Sequence, residues 1–207
     1  MPLENSIHPG QVVWTGENPG ILLKEDPDGP FTAIALFFRI AYSPAGRGTV
    51  LLILERPHER VGPPTAVNAV IADNRPLADY LMESFIGKLP AFADLPGRLA
   101  AVFLPMTGGG ASGDPRSRYS ETVNAEGLDI ELARDGLGRP IALELPRKLT
   151  GAGENELYSL LIESTDPSIT INGRRLPGRP ATREQAGIRT TTAFLYFSET
   201  RIRPVDD

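Results

Sequence analysis

Charged side chains set into otherwise apolar, alternating runs are the residues of this 207-residue chain best placed to do chemistry. Arg39 continues the row Phe31, Ala33, Ala35, Phe37, where a cation is out of keeping. Glu199 continues Ala193, Leu195, Phe197, and Glu163 continues Leu157, Ser159, Leu161. Near strand ends such groups snorkel to solvent. Turned inward, Arg39 would anchor an anion at the mouth of an apolar pocket, because a guanidinium grips a carboxylate through two parallel hydrogen bonds. Phe37 would add ring surface beside it. Tyr119, Tyr158 and Tyr196 would add phenolic hydroxyls, and Glu199 completes the candidate ligand-binding set; the tyrosines serve equally as ordinary sheet aromatics.

Other chemistries find fewer residues. The chain has no cysteine, which removes disulfides, thiolate catalysis and Cys-ligated zinc together. Its two histidines, His8 and His58, stand beside prolines in loop contexts. Ser112 lies in GASGD and not in a G-x-S-x-G elbow, so no His-based triad is read. No set of residues has metal-ligand spacing on one element, and Asp26 and Asp28 match only half of a calcium loop. Gly108, Gly110 and Gly113 spell G-x-G-x-x-G, but a strand follows them where a dinucleotide site needs a helix. The stretch Pro105–Ser117 is therefore expected to be a long polar loop, mobile or acting as a lid. No cofactor is expected.

Lysine is the remaining nucleophile. Asp73-Asn74-Arg75-Pro76-Leu77-Ala78, then Glu83, then Gly87-Lys88-Leu89-Pro90 follow in an order that resembles the stretch before the Schiff-base lysine of acetoacetate decarboxylases, a β-rich family. The resemblance covers only residues 73–90 and departs at the lysine, where the family's Pro-Lys-Lys is replaced by Gly87-Lys88-Leu89-Pro90. It implies a lysine-dependent decarboxylase or related lyase with Lys88 forming the imine. That chemistry requires a buried amine of depressed pKa. Lys148, in Pro146-Arg147-Lys148, reads as a surface residue.

Strands must position nearly all of these groups. In LDIELARDGLGRPIALEL, Leu128–Leu145, apolar residues alternate on both sides of Asp135-Gly136-Leu137-Gly138, which predicts a β-hairpin. Phe31–Tyr42 and Thr49–Glu55, joined by Ser43-Pro44-Ala45-Gly46, are apolar on both alternating faces. Such strands are covered on both sides, as a barrel wall with an outer layer or as a sheet buried in a homodimer. Shorter strands are expected at Gln11–Trp14, Ile21–Lys24, Ala66–Ala72, Arg98–Leu104 and Arg118–Ala125. Others are expected at Glu156–Ser164, at Ser168–Arg174 turning at Asn172-Gly173, and at Thr191–Arg203. One helix, Arg75–Ile86, has a cap at Asn74 or Asp73, Pro76 in its first turn and Gly87 as its stop. Its apolar stripe is Leu77, Tyr80, Leu81 and Phe85.

Composition bounds the rest. The 21 glycines and 20 prolines sit between apolar runs, as punctuation of many short strands. A net charge of −5 argues against a nucleic-acid partner, and the cluster Arg174, Arg175, Arg179 reads as a solvated hairpin end. No apolar stretch approaches the roughly 20 residues that span a bilayer. The first residues show no basic region followed by an apolar core, so a cytoplasmic protein without membrane contact is expected. The expectation is a single-domain, mainly β chain over residues 1–207: an antiparallel β-barrel of calycin-like kind, about ten strands with one packed α-helix. Its expected function is to bind a small, largely apolar molecule inside that barrel, an anion where Arg39 engages it. The lysine-dependent lyase, and a structural or oligomerising β protein without ligand, are the alternatives.

Overall fold

The computed structural model describes residues 10–59, 65–150, 154–185 and 187–205, so His8 lies outside the described residues. The chain is mainly β. Its first ten strands are β1 (Gly10–Glu17), β2 (Gly20–Lys24), β3 (Ala33–Tyr42), β4 (Gly48–Glu55), β5 (Asn68–Ala72), β6 (Val102–Asp114), β7 (Arg118–Ala125), β8 (Leu128–Leu137), β9 (Ile141–Leu145) and β10 (Glu156–Ile171). Then come the short β11 (Arg174–Arg175), β12 (Arg179–Pro180), β13 (Thr182–Gln185) and β14 (Ile188–Thr191), and last the long β15 (Ala193–Pro204). Helix α1 (Arg75–Ser84) starts at Asn74, whose side chain accepts the Leu77 N–H at 3.2 Å, with Pro76 in its first turn. No helix among the described residues is long and apolar enough to cross a membrane.

The pairings close into a ring. β1 and β2 lie end to end on one line between β3 and β15, interrupted only at Asn18-Pro19. From β3 the ladder runs through β4, β5, β6, β7 and β8 to β10, and β10 pairs with β15, which returns to β1. One pairing departs from the antiparallel expectation: β5 and β6 are parallel. A parallel pair needs a long crossover, and α1 with the turns after it supplies it.

β3 explains why the ring exists. Its alternation sends Ala33, Ala35 and Phe37 inward, onto Leu51, Ile53, Ile71, Val123, Leu132 and Ile169 from around the ring. Ile34, Leu36, Phe38 and Ile40 point outward and are covered by Leu77, Leu81, Phe85 and Ile86 of the helical segment. Each such side chain contributes about 1.5–3 kcal/mol when fully buried. The chain thus covers both faces of β3 itself and needs no second copy to do so.

Three expected elements are corrected. Leu128–Leu145 is not a hairpin: β8 pairs with residues 164–171 of β10, and β9 with residues 157–161 of the same strand. The ladder crosses the expected turn through the Gly138 N–H, which donates to the Glu163 carbonyl at 2.9 Å, while Gly136 at φ 60° makes a local irregularity and not a reversal. Pro105–Ser117 is not a loop, because β6 runs to Asp114 and pairs with β7 from Met106↔Ala125 to Asp114↔Arg118. Gly109 has φ 143°, and a Cβ there would stand 2.2 Å from the Thr122 carbonyl oxygen, so a close backbone approach is what selects glycine. The strand expected from Arg98 begins instead at Val102, after the single turn α2 (Pro96–Leu99).

The ring interior also holds an ion pair. Arg134 Nη1 meets Glu121 Oε2, and neither side chain has any exposed area. Removing one partner of such a pair strands the other charge, whereas replacing both with apolar groups of similar volume is close to neutral. Glu121→Ala is therefore expected to lower unfolding free energy by about 3–5 kcal/mol, and Glu121→Leu with Arg134→Met by far less. Denaturant unfolding monitored by circular dichroism checks this. Equal losses in the single and double variants would remove the pair from the stability argument.

Candidate functional site

Two neighbouring breaks in strand regularity build a cleft on the outer face of the ring. On β15, Phe194 and Tyr196 point outward, while Leu195 packs inward with Tyr119 and Ile162. Ser198 then adopts φ 52°, and the β10–β15 register shifts between Tyr158 and Leu160. This bulge inverts the alternation that follows it. Glu199 consequently does not continue the inward row Ala193, Leu195, Phe197, as its spacing predicts. It joins Arg201 on the outward side, where the Arg201 guanidinium lies 4.3 Å from the Phe85 ring and 5.6 Å from Trp14. Across from the bulge, the interruption at Asn18-Pro19 brings Asn18 beside β15, its N–H donating to the Tyr196 carbonyl at 2.9 Å.

The remaining walls come from two segments. The short ribbon of β13 and β14 carries Arg183 and Gln185 on alternate residues over the β15 aromatics. The Arg183 guanidinium stacks 4.3 Å from the Phe194 ring and donates to the Tyr196 hydroxyl at 3.4 Å, and that hydroxyl donates to Gln185 Oε1. Phe85, Leu89, Pro90 and Phe92, after α1, form the apolar wall opposite. They enclose about 250 Å³. That is just below the ~300–1,000 Å³ of pockets for drug-sized ligands, with the same make-up of apolar walls and a few convergent polar groups.

Electrostatics inside the cleft are uneven. Arg201 Nε donates to Glu199 Oε1 at 2.8 Å, with both side chains buried. Burial pushes the Glu199 carboxyl above its ordinary value, against the opposing pull of Arg201 and of an Asn18 hydrogen bond. The Tyr196 phenol is likewise raised by burial. Burial pulls the Arg183 guanidinium below its ordinary value, and the Tyr196 hydroxyl counters this; among the described residues no carboxylate acts on it. Four buried atoms here lack hydrogen-bond partners: Asn18 Oδ1, Arg183 Nε, Glu199 Oε2 and Arg201 Nη1.

The six residues expected to form one site fall into three places. Tyr196 and Glu199 belong to the cleft. Arg39, Phe37 and Tyr119 belong to one end of the ring interior: Arg39 Nη1 lies 3.2 Å from Glu17 Oε2, its guanidinium is 5.8 Å from the Phe37 ring, and it hydrogen-bonds Tyr119. Arg39 is thus held by Glu17, and the grooves beside it, about 700 and 410 Å³, are open and shallow. Tyr158 stands near the start of β10, hydrogen-bonded to Glu156 at 3.1 Å. Lys88 is 42% exposed and pairs with Glu154 at 2.8 Å, so the burial that imine chemistry requires is not met. Among the described residues no three metal-ligating side chains cluster. Asn18, Arg183, Gln185 and Arg201 escaped the sequence reading. The one signal they leave is the alternation of Arg183 and Gln185 within a short polar run.

Compared with protein-family models, with curated proteins and with solved structures, the chain matches none.

The Glu199 environment has a pH signature. Its folded pKa lies above its ordinary value of 4.5, so folding raises the carboxyl's hold on its proton relative to the unfolded chain. The resulting stability is complete below the unfolded pKa and is lost as pH rises through the folded one. Relative to Glu199→Gln, the wild type is expected to lose unfolding free energy as pH rises above the ordinary carboxyl value of 4.5. Parallel denaturant titrations of the two proteins measure the difference; a gain with rising pH would overturn the assignment.

Proposed function

We propose that this chain binds a small carboxylate-bearing molecule with a flat apolar body in the cleft between β15 and the segment Phe85–Phe92. One observation carries the reading: Arg183 lies over the Phe194 ring in an aromatic cleft with its Nε unpaired, and among the described residues no carboxylate acts on it. A cation in such surroundings is costly unless paired, and an arginine's fork is shaped for a carboxylate. Phe194, Tyr196, Phe85 and Phe92 offer ring faces to an apolar body. The closed sheet is, in this reading, a small barrel filled by its own side chains that supports the site from behind. Ile21, Leu51, Ile53 and Leu132 are each without exposed area in its interior, which favours the outer face over the inside as the place for a ligand.

Titration calorimetry with benzoate, phenylacetate and phenylpropionate tests the reading. At least one acid is expected to bind, and Arg183→Ala to weaken it by about 1.5–3 kcal/mol, the range for hydrogen bonds to charged groups. That is roughly 10- to 150-fold. Arg39→Ala is expected to leave the affinity unchanged. Binding of none of the acids, or loss in Arg39→Ala with retention in Arg183→Ala, would overturn the assignment; the second result moves the site to the rim of the ring.

A further inference from the structure

Besides Arg183 and Gln185, the cleft is lined by two polar side chains that are almost wholly buried: Asn18, 6% exposed, and Arg201, 4% exposed. Both are tied to Glu199. Arg201 Nε donates to Glu199 Oε1, and the Asn18 side chain also hydrogen-bonds that carboxylate. An amide can bond a carboxylate only through its NH₂, so what Asn18 has left to offer is its carbonyl oxygen. That Oδ1 atom has no partner, and neither has Arg201 Nη1. One unfilled acceptor and one unfilled donor therefore flank the same anchoring carboxylate. Buried polar atoms in native proteins are overwhelmingly paired, so an orphaned pair lining a cleft describes a missing partner.

Resting on the reading above, we propose that the ligand carries, besides its acid, a neutral group that both donates and accepts a hydrogen bond, a hydroxyl or an amide, seated between Asn18 and Arg201. The charge count selects neutrality. Glu199 and Arg201 cancel each other, and Arg183 leaves the cleft with a single positive charge, which the ligand's carboxylate balances. An ammonium between Asn18 and Arg201 would introduce a second charge into a largely desolvated, already balanced site. A methyl or bare ring edge would leave both Oδ1 and Nη1 unpaired. A hydroxyl gives its proton to Asn18 Oδ1 and accepts from Arg201 Nη1, which fills both. Asn18 and Arg201 are then the specificity-determining residues, and Glu199 positions them.

Three matched acids decide the matter on the full chain: para-methylbenzoate, para-(hydroxymethyl)benzoate and para-(aminomethyl)benzoate, together with the corresponding phenylacetates, titrated by calorimetry. A site built to hydrogen-bond a hydroxyl discriminates strongly against analogues that lack it. The hydroxymethyl member is expected to bind at least about tenfold more tightly than the methyl member in one or both series. The aminomethyl member is expected to bind no better than the methyl one. Asn18→Ala should abolish the hydroxyl's advantage, bringing the ratio of hydroxymethyl to methyl affinity to about one, whereas a global folding defect would weaken both acids alike and keep the ratio. Equal affinity of the methyl and hydroxymethyl acids overturns the inference but leaves the carboxylate site standing. Tightest binding by the aminomethyl acid overturns it in favour of a cationic group. If none of the plain acids binds either, the carboxylate reading itself has failed and this one falls with it.

Discussion

Because β3 and β4 carry apolar residues on both faces, neither face of the hairpin can be left to water. Val50, Leu51, Leu52, Ile53 and Leu54 are five consecutive residues with no exposed area, pointing alternately to opposite sides. A single layer cannot achieve that. The inner face is answered by the sheet closing on itself, so that β7, β8 and β10 bring their own apolar rows to meet β3 and β4. The outer face is answered by α1 and the turns after it, inserted between β5 and β6, which is also why that one pairing is parallel. The outer cover is short. Where it thins from helix into the segment Phe85–Phe92, it no longer seals against Phe194 and Tyr196, and the cleft is the space left over. The candidate site is thus a consequence of the same constraint that closes the ring.

What lines that space depends on two backbone irregularities facing each other. A regular β15 would have turned Glu199 inward, away from the cleft. The bulge at Ser198 turns it outward, and the interruption at Asn18-Pro19 delivers an amide to the same spot. Bulges re-aim side chains at the cost of ladder hydrogen bonds, which is why they concentrate where a sheet is put to use.

Much of the fold was legible in the sequence, and the failures share a cause. Two-sided apolar alternation marked β3 and β4, Asn74 and Pro76 marked the start of α1, and Asn172-Gly173 marked the turn between β10 and β11. These are local signals. Whether Asp135-Gly136-Leu137-Gly138 folds back or runs on depends on β10, whose 16 residues accommodate β8 and β9 in succession. The glycines of β6 resemble a loop until β7 is set against them. Ser198 at positive φ has no sequence signature, since left-handed backbone is expected of glycine or asparagine, so period-two counting put Glu199 on the wrong face. Arg183 and Arg201 were missed because the pattern of a strand says nothing about which aromatic ring a neighbouring guanidinium will lie upon.

Two buried charge clusters remain to be told apart. Glu121 and Arg134 are both sealed in the interior, and each charge meets its opposite; Arg39 and Glu17 repeat that balance nearer the rim. A ligand ion added there would unbalance a neutral set and displace packed side chains. In the cleft the sum is positive, the walls are apolar rings, and the space is already open. The free chain therefore carries at Arg183 a desolvation cost that, among the described residues, the Tyr196 hydroxyl and the Phe194 ring offset without a carboxylate. Under the proposed function, a ligand that supplies the missing negative charge would bind the folded state alone and stabilise the fold in proportion to the logarithm of its concentration over Kd. A cation without a counter-charge is, under the proposed function, itself a driving force for binding, which distinguishes the cleft from the balanced pair at the core.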